Sequence, residues 1–221
     1  MTHKHLVIMC FFIVTAPFAA PAFAQESDQI DALKFSEELE QERPEWLYEE
    51  LESCPANKQG HKTYSQGYID GLCIDQMAAC KADCKKGDAI ACYSLAVGIQ
   101  SLERSDPHSH QALFTRACRL GHASGCTNMG AGMDGIEPDE DIAAACYIPA
   151  YKSACGAKDP WGCTMLAFEL FKGEHITKNY DRALEVMSQS CQFGEEDPAC
   201  SAALQLEEQI QDLLNELSAK E

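Results

Sequence analysis

One feature narrows the possible folds of this chain more than any other: a pair of cysteines eight positions apart that recurs in register. "CKKGDAIAC" runs from Cys84 to Cys92, "CRLGHASGC" from Cys118 to Cys126 and "CGAKDPWGC" from Cys155 to Cys163. "CQFGEEDPAC", one residue longer, runs from Cys191 to Cys200. The first cysteines of the four pairs lie 34, 37 and 36 residues apart. A period in the thirties is the sequence signature of stacked helical hairpins, in which each unit buries its apolar face against its neighbours. The residues around the pairs agree. Leu113, Phe114 and Ala117 precede Cys118. Tyr147, Ala150, Tyr151 and Ala154 precede Cys155, and Ala183, Val186, Met187 and Ser190 precede Cys191. This is helical spacing, not the alternation of a strand. After the pairs, Leu95, Met129 and Leu166 occupy one position, and the small residues Ala96, Gly130 and Ala167 the next. Ile99, Met133 and Leu170 follow on the same side. A small residue at that place lets a neighbouring helix approach closely. Breakers in "ERSDPHS", "GIEPDED" and "KGEHITKN" mark the longer connections. The fold class is all-α.

The first 24 residues read as a secretory signal peptide. Lys4 opens a short polar start, an apolar run from Leu6 to about Ala16 follows, and Ala22-Phe23-Ala24 forms a small-x-small cleavage motif. Removing these 24 of 221 residues leaves 197, and removing Cys10 with them leaves 12 of the 13 cysteines. An even count in an exported chain implies six disulfides and a periplasmic or secreted destination. Without Lys4 the formal charge moves from -18 to -19. Such acidity disfavours nucleic acid, whose phosphates would be repelled, and an anionic membrane surface. It attracts basic partners and keeps a chain soluble.

The segments "RACRLGHASGCTNMG" and "NYDRALEVMSQSCQFGEEDPAC" resemble the Sel1-like repeat family, relatives of the tetratricopeptide repeats. Within that family the chain resembles the cysteine-rich, exported subgroup with one clip per repeat, known from the Helicobacter cysteine-rich proteins. A mitochondrial Sel1-repeat assembly factor for cytochrome c oxidase is similar too. The resemblance covers about Ser65 to Leu217, with Pro149 inside a helix and the longer last pair as departures. It implies a right-handed α-solenoid of about four disulfide-clipped hairpins. Within it, Cys84–Cys92, Cys118–Cys126, Cys155–Cys163 and Cys191–Cys200 are the clips. Each would close a short loop and contribute roughly 2–3 kcal/mol. Zinc would want C-x2-4-C spacing with paired partners and redox catalysis C-x-x-C, and no C-x-x-C occurs. Of the four remaining cysteines, Cys54 with Cys73 is the expected fifth bond. Cys80 with Cys146 would be a strained sixth, and one of the four could serve as a reactive thiol.

The expected organisation is a signal peptide over 1–24, an acidic, partly helical N-terminal cap over 25–60, and the repeat domain over 61–221. Gln25 to Glu52 holds 11 acidic residues against Lys34 and Arg43. Trp46, Leu47 and Leu51 form a stripe there, and the part before Pro44 is expected to be poorly ordered. A C-terminal capping helix over about 197–219 carries the stripe Ala203, Leu206, Ile210, Leu213 and Leu217.

Chemistry is harder to find. His108 and His110 form an H-x-H pair without further ligands, and His61, His122 and His175 read as surface or turn residues. Ser124 lacks a nucleophile elbow, and no S-x-x-K, S-D-N or K-T-G is present. No catalytic residue, metal or cofactor is therefore assigned. By analogy with tetratricopeptide repeats, positions one, five and eight after each second cysteine would face a concave groove. They are Tyr93, Val97 and Gln100; Thr127, Ala131 and Asp134; and Thr164, Phe168 and Phe171. The expected function is an exported, monomeric module that binds a protein or peptide. The resemblance also implies two alternatives: weak penicillin binding with β-lactamase-like hydrolysis, and a redox or assembly role for a respiratory complex.

Overall fold

The first three clips each end one helix and start the next by the same local chemistry, and the fourth follows a turn beyond the end of its helix. Three residues after the first cysteine the backbone turns left-handed, with φ of 96° at Gly87, 95° at Gly121, 64° at Lys158 and 95° at Gly194. Glycine enters this region without a Cβ clash; lysine does not. In the first three clips the next residue donates its N–H five residues back. Asp88 reaches the Asp83 carbonyl (3.1 Å), His122 that of Ala117 and Asp159 that of Ala154 (both 2.9 Å). These bonds satisfy carbonyls that a helix end leaves open. The same residues then cap the following helix. The side chain of Asp88 accepts from the Ala91 N–H (2.9 Å), His122 Nδ1 from Gly125 (3.2 Å) and Asp159 from Gly162 (2.8 Å). In the longer fourth clip Asp197 accepts from Ala199 (2.9 Å). A side-chain acceptor at this position satisfies one of the orphan N–H groups at the helix start.

The computed structural model describes residues 22–41, 54, 73, 75–102, 110–133 and 140–219. Its elements are all helices: α1 (Ala22–Gln41), α2 (Met77–Lys85), α3 (Ala89–Gln100), α4 (Gln111–Arg119), α5 (Ala123–Ala131), α6 (Glu140–Gly156), α7 (Pro160–Lys172), α8 (Tyr180–Met187) and α9 (Pro198–Ser218). From α2 onward each helix packs against its neighbours in sequence, and α5 and α9 each lie against α7 as well. Pairs α2/α3, α4/α5, α6/α7 and α8/α9 meet across the clips, while α3/α4, α5/α6 and α7/α8 meet across the longer loops. The chain is an all-α solenoid of disulfide-clipped hairpins.

The apolar stripes read from the sequence form the core. Leu113, Ala117, Tyr147, Ala150, Tyr151, Ala154 and Ala183 are fully buried. Close approach is real where small residues were noted: a Cβ on Gly130 would sit 2.8 Å from Tyr151 Cε1. A Cβ on Gly162 would sit 2.5 Å from that of Ala154. The α9 stripe is buried only as far as Ile210, and Leu217 is 47% exposed. The helix outruns the hairpin it caps. Pro149 does not end α6, which runs through it from Glu140 to Gly156. The proline has no N–H to offer the carbonyl of Ala145, one turn back.

Among the described residues six disulfides are formed. The four clips have Cα–Cα distances of 4.6, 4.5, 4.4 and 4.5 Å. The expected Cys54–Cys73 bond is not made. Cys54 pairs with Cys146 at 5.8 Å, and Cys73 with Cys80 at 5.9 Å. Seven residues of continuous helix would hold Cys73 and Cys80 about 10 Å apart. A turn closed by Gln76 N–H on the Cys73 carbonyl (3.0 Å) folds the chain back ahead of α2 and brings them together. Cys146 is buried on α6, and Cys54 meets it across 92 residues.

The acidic segment also differs from expectation. Residues 22–41, before Pro44, are helical, and α1 packs on α2, α3 and α4 with Ala32, Phe35 and Ser36 buried. Its first turn contains the Ala22-Phe23-Ala24 motif. Trp46, Leu47 and Leu51, most of the expected signal peptide, and His61 and His108 lie outside the described residues.

Candidate functional site

The nine residues expected to face a groove separate by position. Those directly after the second cysteine are buried: Tyr93 is 1% exposed, Thr127 2% and Thr164 6%. Each reaches into the next clip. The Tyr93 ring stacks on the capping imidazole of His122 at 4.4 Å and 6°, and its hydroxyl accepts from Asn128 Nδ2 (2.8 Å). Thr127 Oγ1 donates to the capping carboxylate of Asp159 (2.8 Å), which also accepts from Ser124 Oγ. Thr164 Oγ1 lies 2.9 Å from Ser190 Oγ and 3.1 Å from the Ala199 carbonyl. These three residues fix the register between successive repeats; they do not line an open surface. Asp159, nearly fully buried, gathers Gly162 N–H, Thr127 and Ser124 on one carboxylate, which is how a buried charge is satisfied.

Positions five and eight are different. Val97 and Phe171 are half-buried, while Gln100 and Ala131 are exposed. Phe168 is 39% exposed. Asp134 lies outside the described residues. Phe168 sits on α7, which starts from the Asp159 cap and Pro160 and ends at Gly173, left-handed at φ 71°. The Lys172 ammonium lies 5.2 Å from the centre of its ring and 2.9 Å from Glu169 Oε1. Phe171 turns instead toward Tyr180 on α8, with 6.0 Å between ring centres. The structure thus leaves one large aromatic open on this face, beside a cation that Glu169 holds from beneath.

The histidines have ordinary places. His110 precedes α4 with its ring 5.5 Å from Phe114, His122 caps α5, and His175 meets Tyr147 edge-on at 6.0 Å. His175 also lines an open cleft of about 600 Å³ between α6 and the α7–α8 loop. Among the described residues no three His, Cys, Asp or Glu side chains converge as a metal site, and no helix is long and apolar enough to cross a membrane.

The capping positions escaped the sequence reading, although a signal was there. Asp88, His122 and Asp159 each stand midway between their two cysteines. Asp and Asn are strong N-cap residues. No family model matches the chain. No curated protein matches it either. Among solved structures it is similar to Helicobacter pylori cysteine rich protein B, at 24% sequence identity and a TM-score of 0.42. That likeness covers 59% of this chain and 97% of the Helicobacter chain.

Proposed function

We propose that this chain is an extracytoplasmic interaction module that binds a peptide or protein segment along α3, α5 and α7. Contact would come from Val97, Gln100, Ala131 and Phe168, with Phe171 packed behind them on Tyr180. The observation that carries the reading is Phe168, an aromatic ring held open on a helix whose neighbouring positions are used in packing. Exposed aromatics beside a cation are typical anchors of protein interfaces. Six disulfides suit an oxidising compartment, periplasmic or secreted. The excess of acid over base favours a basic ligand segment reaching the face quickly. In this reading the module works as a monomer and without a cofactor.

The test is selection of peptides from a displayed library against the oxidised protein, followed by measurement on Phe168→Ala. Selected peptides should be basic with an apolar residue, and should bind the variant at least ten-fold more weakly while its helix content is unchanged. Peptides that bind both proteins equally would remove Phe168 and this face from the reading. Nitrocefin turnover above background by the same preparation would favour β-lactam hydrolysis instead.

A further inference from the structure

The second face of interest lies under α1. This helix carries Glu26, Asp28, Asp31, Glu37, Glu38 and Glu40 against the single cation Lys34. The surface it covers carries cations: α2 brings Lys81 and Lys85, while Lys86 at its end is held by Asp83, and α4 brings Arg116 and Arg119. The two are matched in detail. Asp31 pairs with Lys81, and the Lys85 ammonium stands 4.8 Å from the centre of the Phe35 ring. Between these polar contacts Ala32 is fully buried and Phe35 is 6% exposed. An apolar centre edged by charge complementarity is how one protein docks on another, not only how a core is built.

The fit is also incomplete in a way that a permanent core element avoids. Ser36 Oγ is fully buried on α1 without a hydrogen-bond partner among the described residues. Ser94 Oγ, on one of the helices that α1 packs against, is buried and unpartnered in the same sense. Buried hydroxyls left without partners oppose docking. No disulfide joins α1 itself to the repeats, whereas every clip does so for the helices beyond it. The helix is thus held by a small apolar contact and by exposed charge.

We propose that the face of α2 and α4 beneath α1 is a docking surface for an acidic, amphipathic helix of a partner protein, and that α1 is its intramolecular occupant, displaced when the partner binds. The partner's helix needs what α1 supplies: a carboxylate for Lys81, an aromatic ring for Lys85, and a small residue between them at helical spacing. This surface lies on α2 and α4, meets the other face only at α3, and calls for a ligand of opposite charge, so its failure leaves the Phe168 reading standing.

The test uses the full chain. Asp31→Lys with Phe35→Ala should loosen α1, and a labelled peptide of residues 25–41 serves as the acidic helix. Fluorescence anisotropy should show the peptide binding this variant at least ten-fold more tightly than the wild-type chain, where α1 competes. Adding Lys81→Ala and Lys85→Ala, which cannot pair with the new lysine on α1, should abolish that binding, and a charge-reversed peptide should not bind. Retained helix content, and protection of α2 and α4 in hydrogen exchange, certify that the repeats remain folded. As a second route, Lys81→Glu with Lys85→Glu in the otherwise wild-type chain should raise exchange in α1 alone. Equal peptide binding by wild type and loosened variant, or binding indifferent to Lys81 and Lys85, would overturn the proposal. A wild-type dimer that reverts to monomer on Asp31→Lys with Phe35→Ala would also overturn it, by making the occupant a second copy of this chain.

Discussion

Lys158 stands where the other three clips place glycine, and replacing it tests the turn chemistry directly. At φ 64° a residue with a Cβ carries a strain of about 1–2 kcal/mol. Glycine removes the strain but gives the unfolded chain more freedom, which offsets roughly 0.5–1 kcal/mol of the gain. The lysine side chain is exposed, so no packing is lost, and the Lys158 carbonyl that accepts from Gln192 is retained. Lys158→Gly should therefore stabilise the oxidised protein by about 1 kcal/mol, a rise in Tm of about 2–4 °C for a chain of this size. The reciprocal change, Gly121→Lys at φ 95°, should destabilise by a similar or larger amount. Guanidinium unfolding with the disulfides intact reads both, with an unchanged m-value as the check that only stability moved. A Lys158→Gly variant no more stable than wild type, with Gly121→Lys equally neutral, would refute the claim that left-handed backbone limits these turns.

Three further outcomes follow from other parts of the structure. Asp159→Ala leaves Gly162 N–H, Thr127 and Ser124 without their acceptor in a buried site, and should cost about 3 kcal/mol in thermal or chemical unfolding. Paired serine replacements should rank by loop length: loss of Cys54–Cys146, closing 92 residues, costs about 4.5 kcal/mol against about 2.5 kcal/mol for Cys118–Cys126, closing 8, by the same unfolding measurement. The third concerns acid. The Lys81 hydrogen bond, aided by the charges of Lys81, Lys85 and Lys34 and opposed by partial burial, holds the Asp31 carboxyl below its ordinary 3.8. A carboxylate so depressed in the docked state supports docking fully above its ordinary value and loses that support as pH falls through the docked one. Exchange of α1 amides, corrected for intrinsic rates, should stay level down to about pH 4 and rise below it, while α6 and α7 remain protected.

The solenoid was legible because it is written twice, in the cysteine spacing and in the apolar period. Leu113, Tyr147 and Ala183, placed on the apolar side by that period, are all fully buried. The groove was legible only in part. Analogy placed Tyr93, Thr127 and Thr164 on an open face, but a hydroxyl next to the second cysteine lies within reach of the following clip and is taken up there. Spacing along one helix does not reveal such a partner, because it comes from the next repeat. The pairing of Cys54 was missed for a related reason. Cys73 and Cys80 at helical spacing could not pair, whereas the turn before α2 carries Cys73 to Cys80 and leaves Cys54 for a cysteine two clips onward. The order of α1 was missed because acidic composition suggests a solvated segment, while its partners Lys81 and Lys85 lie some 50 residues away.

The Cys54–Cys146 bond has a consequence for how the molecule is made. Five of the six disulfides join cysteines that follow one another directly, so an oxidant acting on a chain as it emerges can form each of them in turn. Cys54 is the exception: it must wait while Cys73, Cys80, Cys84, Cys92, Cys118 and Cys126 pass before its own partner arrives. A bond made early from Cys54 to Cys73, with the four clips formed as in the native chain, strands Cys80 and Cys146 as leftover thiols. Thiolate attack on that early bond is the chemical route back. A chain that takes that early bond needs its disulfides reshuffled before it can mature, and the native pairing of Cys54 waits on the arrival of α6.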